Sequence, residues 1–166
     1  AEHNAHKAGA RFVGMDVEPA MVSAAARHCQ DIAAIDIVEQ DIRLADLGQS
    51  DLIVSYYTMQ FIPPRYRQEI FNKIYASLNW GGAFILFEKV RGPDARFQDI
   101  LTQLYNEFKL RNGFTGEEIV EKSRSLKGVL EPFSTQGNLD LLQRAGFVDV
   151  MSIQRYLCFE GFLAIK

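Results

Sequence analysis

The sequence has few cysteines and few histidines, no long apolar run and no excess of positive charge. Its two cysteines, Cys29 and Cys158, lack CxxC spacing. That excludes a disulfide framework and a thiolate metal cluster, and both read as buried free thiols in a reducing compartment. The three histidines, His3, His6 and His28, form no ligand set: two lie near the amino end and one at a polar helix end. No Ser–His–Asp or Cys–His pairing can be assembled from them, and no metal is expected. No apolar run nears the roughly 18 residues of a membrane span, and no signal peptide is visible. A cytoplasmic location without membrane contact is therefore expected. The net charge is −3, and the basic residues are scattered. A chain gripping a phosphate backbone shows a basic face, so no direct nucleic acid binding is expected. Repeats, low-complexity stretches and, Gly9 and Gly14 apart, a glycine-rich turn at the first strand are absent too.

What remains is an ordinary globular balance of 166 residues, 48% hydrophobic and 23% charged. It fits a single domain over 1–166 with a core of its own. Apolar runs and helical periods alternate along it. Arg11 to Asp16 reads as a buried strand ending in a carboxylate. Pro19 opens a helix with Met21, Val22, Ala25 and Ala26 on one side. Ile35 to Val38 and Asp51 to Tyr57 are further strands. Pro63-Pro64 start a helix carrying Ile70, Phe71, Ile74, Tyr75 and Leu78, and Asn79-Trp80-Gly81-Gly82 stop it. Ala83 to Phe87 is the fourth strand.

Two helices, about 94–112 and 116–128, form a helical insertion, with Thr115 and Glu118 spaced as a capping box. A helix at about 134–145 stops at Gly146. Val148 to Ile153 and Leu157 to Ile165 have no room for a helix between them and are expected to pair antiparallel. The fold class is α/β, Rossmann-like: a mostly parallel sheet with one antiparallel strand near the carboxyl end.

In open α/β sheets ligands sit beyond the carboxyl ends of the strands. Asp16 ends the first strand, where a carboxylate accepts both hydroxyls of a ribose, with Val17 beside the base. The alternative is a helix cap. Asp41 follows the second strand; its carboxylate suits an adenine amino group and Ile42 would cover the ring. The alternative is a polar loop residue. Ser55, Tyr56, Tyr57 and Gln60 end the third strand, as pocket wall or as core packing. Glu88-Lys89 follow the fourth, as acid, base or clamp, or as a surface ion pair. Arg124 reads on spacing alone as a solvated helix charge.

Several segments together resemble the class I S-adenosylmethionine-dependent methyltransferases. Phe12 to Met21 looks like their second-strand motif, Gln40-Asp41-Ile42-Arg43 like their adenine motif, and Leu78 to Ala83 like their Leu-x-Pro-Gly-Gly turn, with Trp80 in place of proline. Phe87-Glu88-Lys89, Phe108 to Phe114, Glu118-Ile119, Lys122 to Ser125 and Cys158 to Lys166 are similar to the carboxy-S-adenosylmethionine synthase family. That resemblance spans nearly the whole chain.

It implies S-adenosylmethionine or its carboxylated form as cofactor, bound by Asp16, Val17, Asp41, Ile42, Ser55 and Tyr56. It implies prephenate as the small-molecule substrate and a product used in tRNA wobble-uridine modification. It also implies that Arg124, with Tyr56, serves the reaction by holding the added carboxylate. The family reads Lys-Arg-Ser where this chain has Lys122-Ser123-Arg124-Ser125, and asparagine where it has Tyr56. The family's first strand and glycine loop precede the residues of this chain, and a sheet lacking that strand would expose two unpaired edges. Simple methyl transfer to a small molecule, a non-catalytic cofactor-binding subunit and a nicotinamide-binding Rossmann protein are the other readings. Phe97 and Tyr105 look exposed, as the contact of a homodimer would be.

Overall fold

The computed structural model describes residues 9–166. The chain divides between Asp46 and Leu47 into two compact units. The first is a βαβ unit: β1 (Phe12–Asp16), α1 (Pro19–Cys29) and β2 (Ile35–Glu39). The strands pair parallel, from Phe12 opposite Ile35 to Asp16 opposite Glu39. Pro19 opens α1, as its fixed φ favours. The inner face of α1 is Val22, Ala25 and Cys29, while Met21 and Ala26 face outward. The expected stripe is thus rotated, and Cys29 is half-buried. β1 is not the buried strand expected: Val13 is exposed, and β1 has a ladder on one side only among the described residues.

The second unit holds β3 (Ser50–Tyr56), a 3-10 turn at Met59–Phe61, α2 (Pro64–Ser77), β4 (Leu78–Lys89), α3 (Ala95–Arg111), α4 (Gly116–Ser125), α5 (Thr135–Ala145), β5 (Asp149–Tyr156) and β6 (Phe159–Ile165). Its sheet runs β3-β4-β6-β5. β3 and β4 are parallel, and β6 lies antiparallel to both β4 and β5. Strands β3, β4 and β5 therefore share a direction and β6 opposes them, as the strand-helix alternation followed by a hairpin predicts. The outer edge of β3 has no ladder among the described residues, and Leu52 and Val54 are exposed along it.

The core lies where α2 and α5 cover β4 and β6. Ile70, Phe71 and Ile74 of α2, Leu141 and Leu142 of α5, Phe84 and Leu86 of β4, and Phe147, Phe162 and Ala164 are all buried. Phe71 meets Phe84 edge to face at 5.7 Å, and Tyr75 meets Phe147 at 4.9 Å. β4 begins earlier than expected. Gly81 has φ +75°, and a Cβ on Gly82 would lie 2.8 Å from the Asn79 carbonyl oxygen and 3.1 Å from that of Asp51. Only glycines let the chain turn this tightly against its neighbour, so the ladder resumes after a register shift between Ser50 and Leu52.

The insertion helices are capped locally. The Asp94 carboxylate accepts from the Phe97 N–H. Thr115 and Glu118 form the reciprocal capping box. The second insertion helix stops at Ser125, three residues short of expectation. α5 is capped by Ser134 and closes on Gly146 at φ +116°.

Candidate functional site

In the first unit, parallel pairing puts the ends of β1 and β2 at one edge. The Gln40 N–H donates to the Asp16 carbonyl at 2.9 Å, which ties the two strand-end turns together. The Asp16 carboxylate is exposed and accepts through Oδ1 from the Glu18 N–H at 2.9 Å. The helix-cap alternative is not what forms: Glu18 is the N-cap of α1 and takes no side-chain cap bond, while Asp16 closes a short turn ahead of the helix, which leaves its Oδ2 without a partner among the described residues. Val17 next to it is exposed apolar surface. An exposed carboxylate with a free oxygen beside an apolar side chain fits the vicinal hydroxyls of an adenosine.

Asp41 is more occupied. Arg43 closes a fork on both its oxygens at 2.5–3.0 Å, and the Arg43 N–H donates to Oδ1 as well. Sequence reading gave Arg43 no role. Its position two residues after the aspartate was the available signal. Ile42 is half-buried.

In the second unit, β3 and β4 end side by side. Side chains alternate there: Ser55 is buried with its hydroxyl unpartnered, and Tyr56 is 67% exposed. A ligand would meet the Tyr56 side chain and not that of Ser55. Tyr57 has φ +56°, and its N–H donates to the Phe87 carbonyl at 2.9 Å. Phe87 carries both tyrosines, with ring centroids 5.5 Å from Tyr56 and 6.3 Å from Tyr57. The Phe87 ring in turn lies across Gly161 on β6, where a Cβ would come within 2.6 Å of it. Tyr57 packs on Phe159, Phe159 on Tyr105, and Tyr105 on Phe108. Tyr105 is therefore half-buried in a ring row. Of the two residues expected to pair subunits, Phe97 alone is exposed.

Glu88 and Lys89 are not a surface ion pair. Glu88 shares the inward face of β4 with Phe84 and Leu86 and is 1% exposed. Burial pushes its pKa up to about 8, while Arg67 and the N–H groups of Met59 and Gln60 pull the other way. Its Oε1 accepts from the Met59 N–H at 3.1 Å. Arg67, equally buried, donates to the carbonyls of Ile62 at 2.7 Å and Gln60 at 3.3 Å, and lies over the Phe133 ring. Burial lowers its pKa, against Glu88 and Glu131. The Gln60 amide oxygen accepts from the Lys89 N–H at 2.8 Å. These buried bonds lock the turn after β3 onto the end of β4, so Gln60 braces the turn and does not line a pocket.

Lys89 points to the opposite side of β4 from Glu88. Its ammonium lies 4.9 Å from the centroid of the Tyr105 ring, and that of Lys109 lies 4.5 Å from the same centroid. Tyr105 and Lys109, four apart on α3, share one helix face. That spacing was the one sequence signal for a group that sequence reading missed. Burial raises the pKa of both Tyr57 and Tyr105.

Arg124 sits in the last turn of α4, exposed. Its guanidinium makes no hydrogen bond, ion pair or ring contact among the described residues. His3 and His6 lie outside the described residues, and His28 is exposed on α1. No cluster of three metal-binding side chains, and no helix long and apolar enough to cross a membrane, occurs among the described residues. A shallow cavity of about 240 Å³ on β5 and β6, lined by Val150, Met151, Leu163, Ile165 and Asp149, lies at the other end of β6 from Phe159 and its partner Lys89.

Residues 1–82 match the family model described as "Methyltransferase domain". The chain is 36% identical over 163 residues to the carboxy-S-adenosyl-L-methionine synthase of Staphylococcus epidermidis, covering 98% of this chain and 71% of that one. It is 37% identical to the enzyme of that name from Chromohalobacter salexigens, covering 93% of this chain and 58% of that one. Among solved structures it is similar to human N-acetylserotonin methyltransferase in complex with S-adenosylmethionine (TM-score 0.66, 20% identity, 99% of this chain and 43% of that one). It is also similar to a putative O-methyltransferase from Nostoc punctiforme (TM-score 0.67, 12% identity, 99% and 47%). These share its fold. The chain thus spans 58–71% of these two curated relatives and under half of these solved chains. With a relative this similar along nearly its whole length, the chain belongs to the carboxy-S-adenosyl-L-methionine synthase family, whose members are S-adenosylmethionine-dependent transferases of the class I methyltransferase fold.

Proposed function

We propose that this protein carboxylates the methyl group of S-adenosylmethionine, with prephenate as carboxylate donor, to give carboxy-S-adenosylmethionine for tRNA modification. The observation that carries the reading is the 36% identity along 98% of the chain to a protein of that name. The bound cofactor supplies an activated methyl group on a sulfonium; the chain's own residues bind and orient it. Asp16 holds the ribose hydroxyls with its free oxygen and Val17 lies along the base. Asp41 and Ile42 recognise the adenine, with Arg43 fixing the Asp41 carboxylate. The Ser55 backbone and the exposed Tyr56 ring face the reacting end. Arg124, its guanidinium free of other partners among the described residues, stabilises the added carboxylate by charge. Residues 1–166 act as a single cofactor-binding domain with residues 94–128 as a helical insertion. The protein acts in the cytoplasm, as a homodimer, on small molecules and not on nucleic acid directly.

Mass spectrometry of ligand released from the purified full-length protein tests this. Carboxy-S-adenosylmethionine, or its formation on adding prephenate, is expected. S-adenosylmethionine alone, unchanged by prephenate, would favour simple methyl transfer, the reading that Tyr56 and the displaced Arg124 motif support. An empty protein that also fails to bind S-adenosylmethionine in calorimetry would leave a non-catalytic subunit.

A further inference from the structure

Among the described residues, the two lysines on the Tyr105 ring have no counter-ion. Neither ammonium makes a hydrogen bond or an ion pair among the described residues. Both are half-buried. A ring face attracts a cation only modestly and does not cancel the repulsion of two. That repulsion is felt: burial lowers the pKa of Lys109, and Lys89 lowers it further. The other titratable groups around them are Tyr57, Tyr105 and Cys158, and burial raises the pKa of each, so none supplies a ready anion. Glu88, next in sequence to Lys89, faces the other side of the sheet.

The position is also telling. Lys89 ends β4, Tyr57 follows β3, and Phe159 pairs with Lys89 across the sheet. This is the carboxyl end of two parallel strands, where open α/β sheets bind ligands. Two unpaired ammonium groups beside a row of aromatic rings make a site with one charged end and one apolar wall. We propose that Lys89 and Lys109 are the anion-holding end of a substrate subsite, which takes a carboxylate of a small organic acid while Tyr57, Tyr105 and Phe159 cover its apolar body. The carboxylate accepts from both ammonium groups and turns their repulsion into two charged hydrogen bonds. Inorganic phosphate shares the charge chemistry, but the rings have nothing to cover on it. The subsite rests on reading this strand end as the substrate side. It is distinct from Arg124, on α4.

Calorimetry on the full chain, with benzoate, malonate and inorganic phosphate as probes and benzamide as the neutral control, tests the proposal. Benzoate is expected to bind and benzamide not. Lys89→Met and Lys109→Met should each weaken benzoate by about tenfold, the worth of one charged hydrogen bond. Lys89→Arg and Lys109→Arg should recover most of it. In wild-type protein, side-chain NMR should show the Lys109 titration midpoint rising on benzoate addition, a readout that survives if a methionine variant fails to fold. Benzoate affinity unchanged in both methionine variants, benzamide bound as well as benzoate, or an unmoved Lys109 midpoint would each overturn the subsite. Phosphate bound more tightly than either carboxylate would overturn its organic-acid class. S-adenosylmethionine titrated into the same wild-type sample separates the two ideas. Its failure to bind defeats the proposed function while a lysine-dependent benzoate signal stands. Intact cofactor binding without any lysine effect defeats the subsite alone.

Discussion

Changing Glu88 to glutamine should reshape how the second unit's stability depends on pH. Below about pH 4.5 the folded and unfolded chains both hold the Glu88 proton, and the residue adds no slope. Between 4.5 and about 8 the folded chain keeps a proton that the unfolded chain has released. Stability therefore falls as pH rises through that window, by about 1.4 kcal/mol per pH unit. Above about 8 both states are ionised and the slope vanishes. Across the window the loss sums to roughly 4–5 kcal/mol as an upper figure, a large part of a typical domain's stability. Glutamine cannot ionise, and its amide oxygen can still accept from the Met59 N–H. Glu88→Gln should thus match wild type near about pH 5 and exceed it by a few kcal/mol near about pH 8.5. Urea unfolding followed by circular dichroism at several pH values measures this, and subtracting variant from wild type cancels every other titrating group. A difference that stays flat from about pH 5 to about pH 8.5, or that grows in favour of wild type, would refute the reasoning.

Asp16→Asn removes the charge from the proposed ribose contact and should weaken S-adenosylmethionine about 10- to 100-fold in calorimetry, with the fold unchanged by circular dichroism. Arg124→Ala should weaken carboxy-S-adenosylmethionine about tenfold or more and leave S-adenosylmethionine within a few-fold; equal losses would defeat the carboxylate clamp. Leu142, fully buried between α5 and the sheet, should cost about 3–4 kcal/mol when cut to alanine, read from denaturant midpoints.

The elements that sequence reading placed best are those with local causes. Pro19 and Pro64 start helices because their fixed φ suits a first turn. Thr115 and Glu118 cap each other three residues apart. Gly146 takes the left-handed position that ends α5. Short spacing at Leu157-Cys158 leaves room only for a hairpin. What escaped depends on contacts distant in sequence. The start of β4 at Leu78 follows from its pairing with Ser50 on β3, a contact distant in sequence that no local pattern displays. Glu88 looked exposed because it is charged, yet the two-residue period that buries Phe84 and Leu86 also buries residue 88. Lys109 meets Lys89 only because α3 folds back over the ends of β4 and β6. Asp16, Asp41 and Tyr56 stood out because strand ends are where this fold class does its chemistry.

The cross-strand pair of Phe87 and Gly161 carries a consequence for how this enzyme can be altered. Neither residue need touch a ligand, yet the Phe87 ring meets the rings of Tyr56 and Tyr57 at an angle, and it occupies space over Gly161 that a side chain there would fill. A single methyl group added at Gly161 would clash with the Phe87 ring, and moving that ring would disturb its contacts with both tyrosines without changing either. Divergence in ligand preference among related chains can therefore be written on β6, about a hundred residues along the chain from the rings that register it. A directed-evolution library restricted to pocket-facing side chains would never sample it.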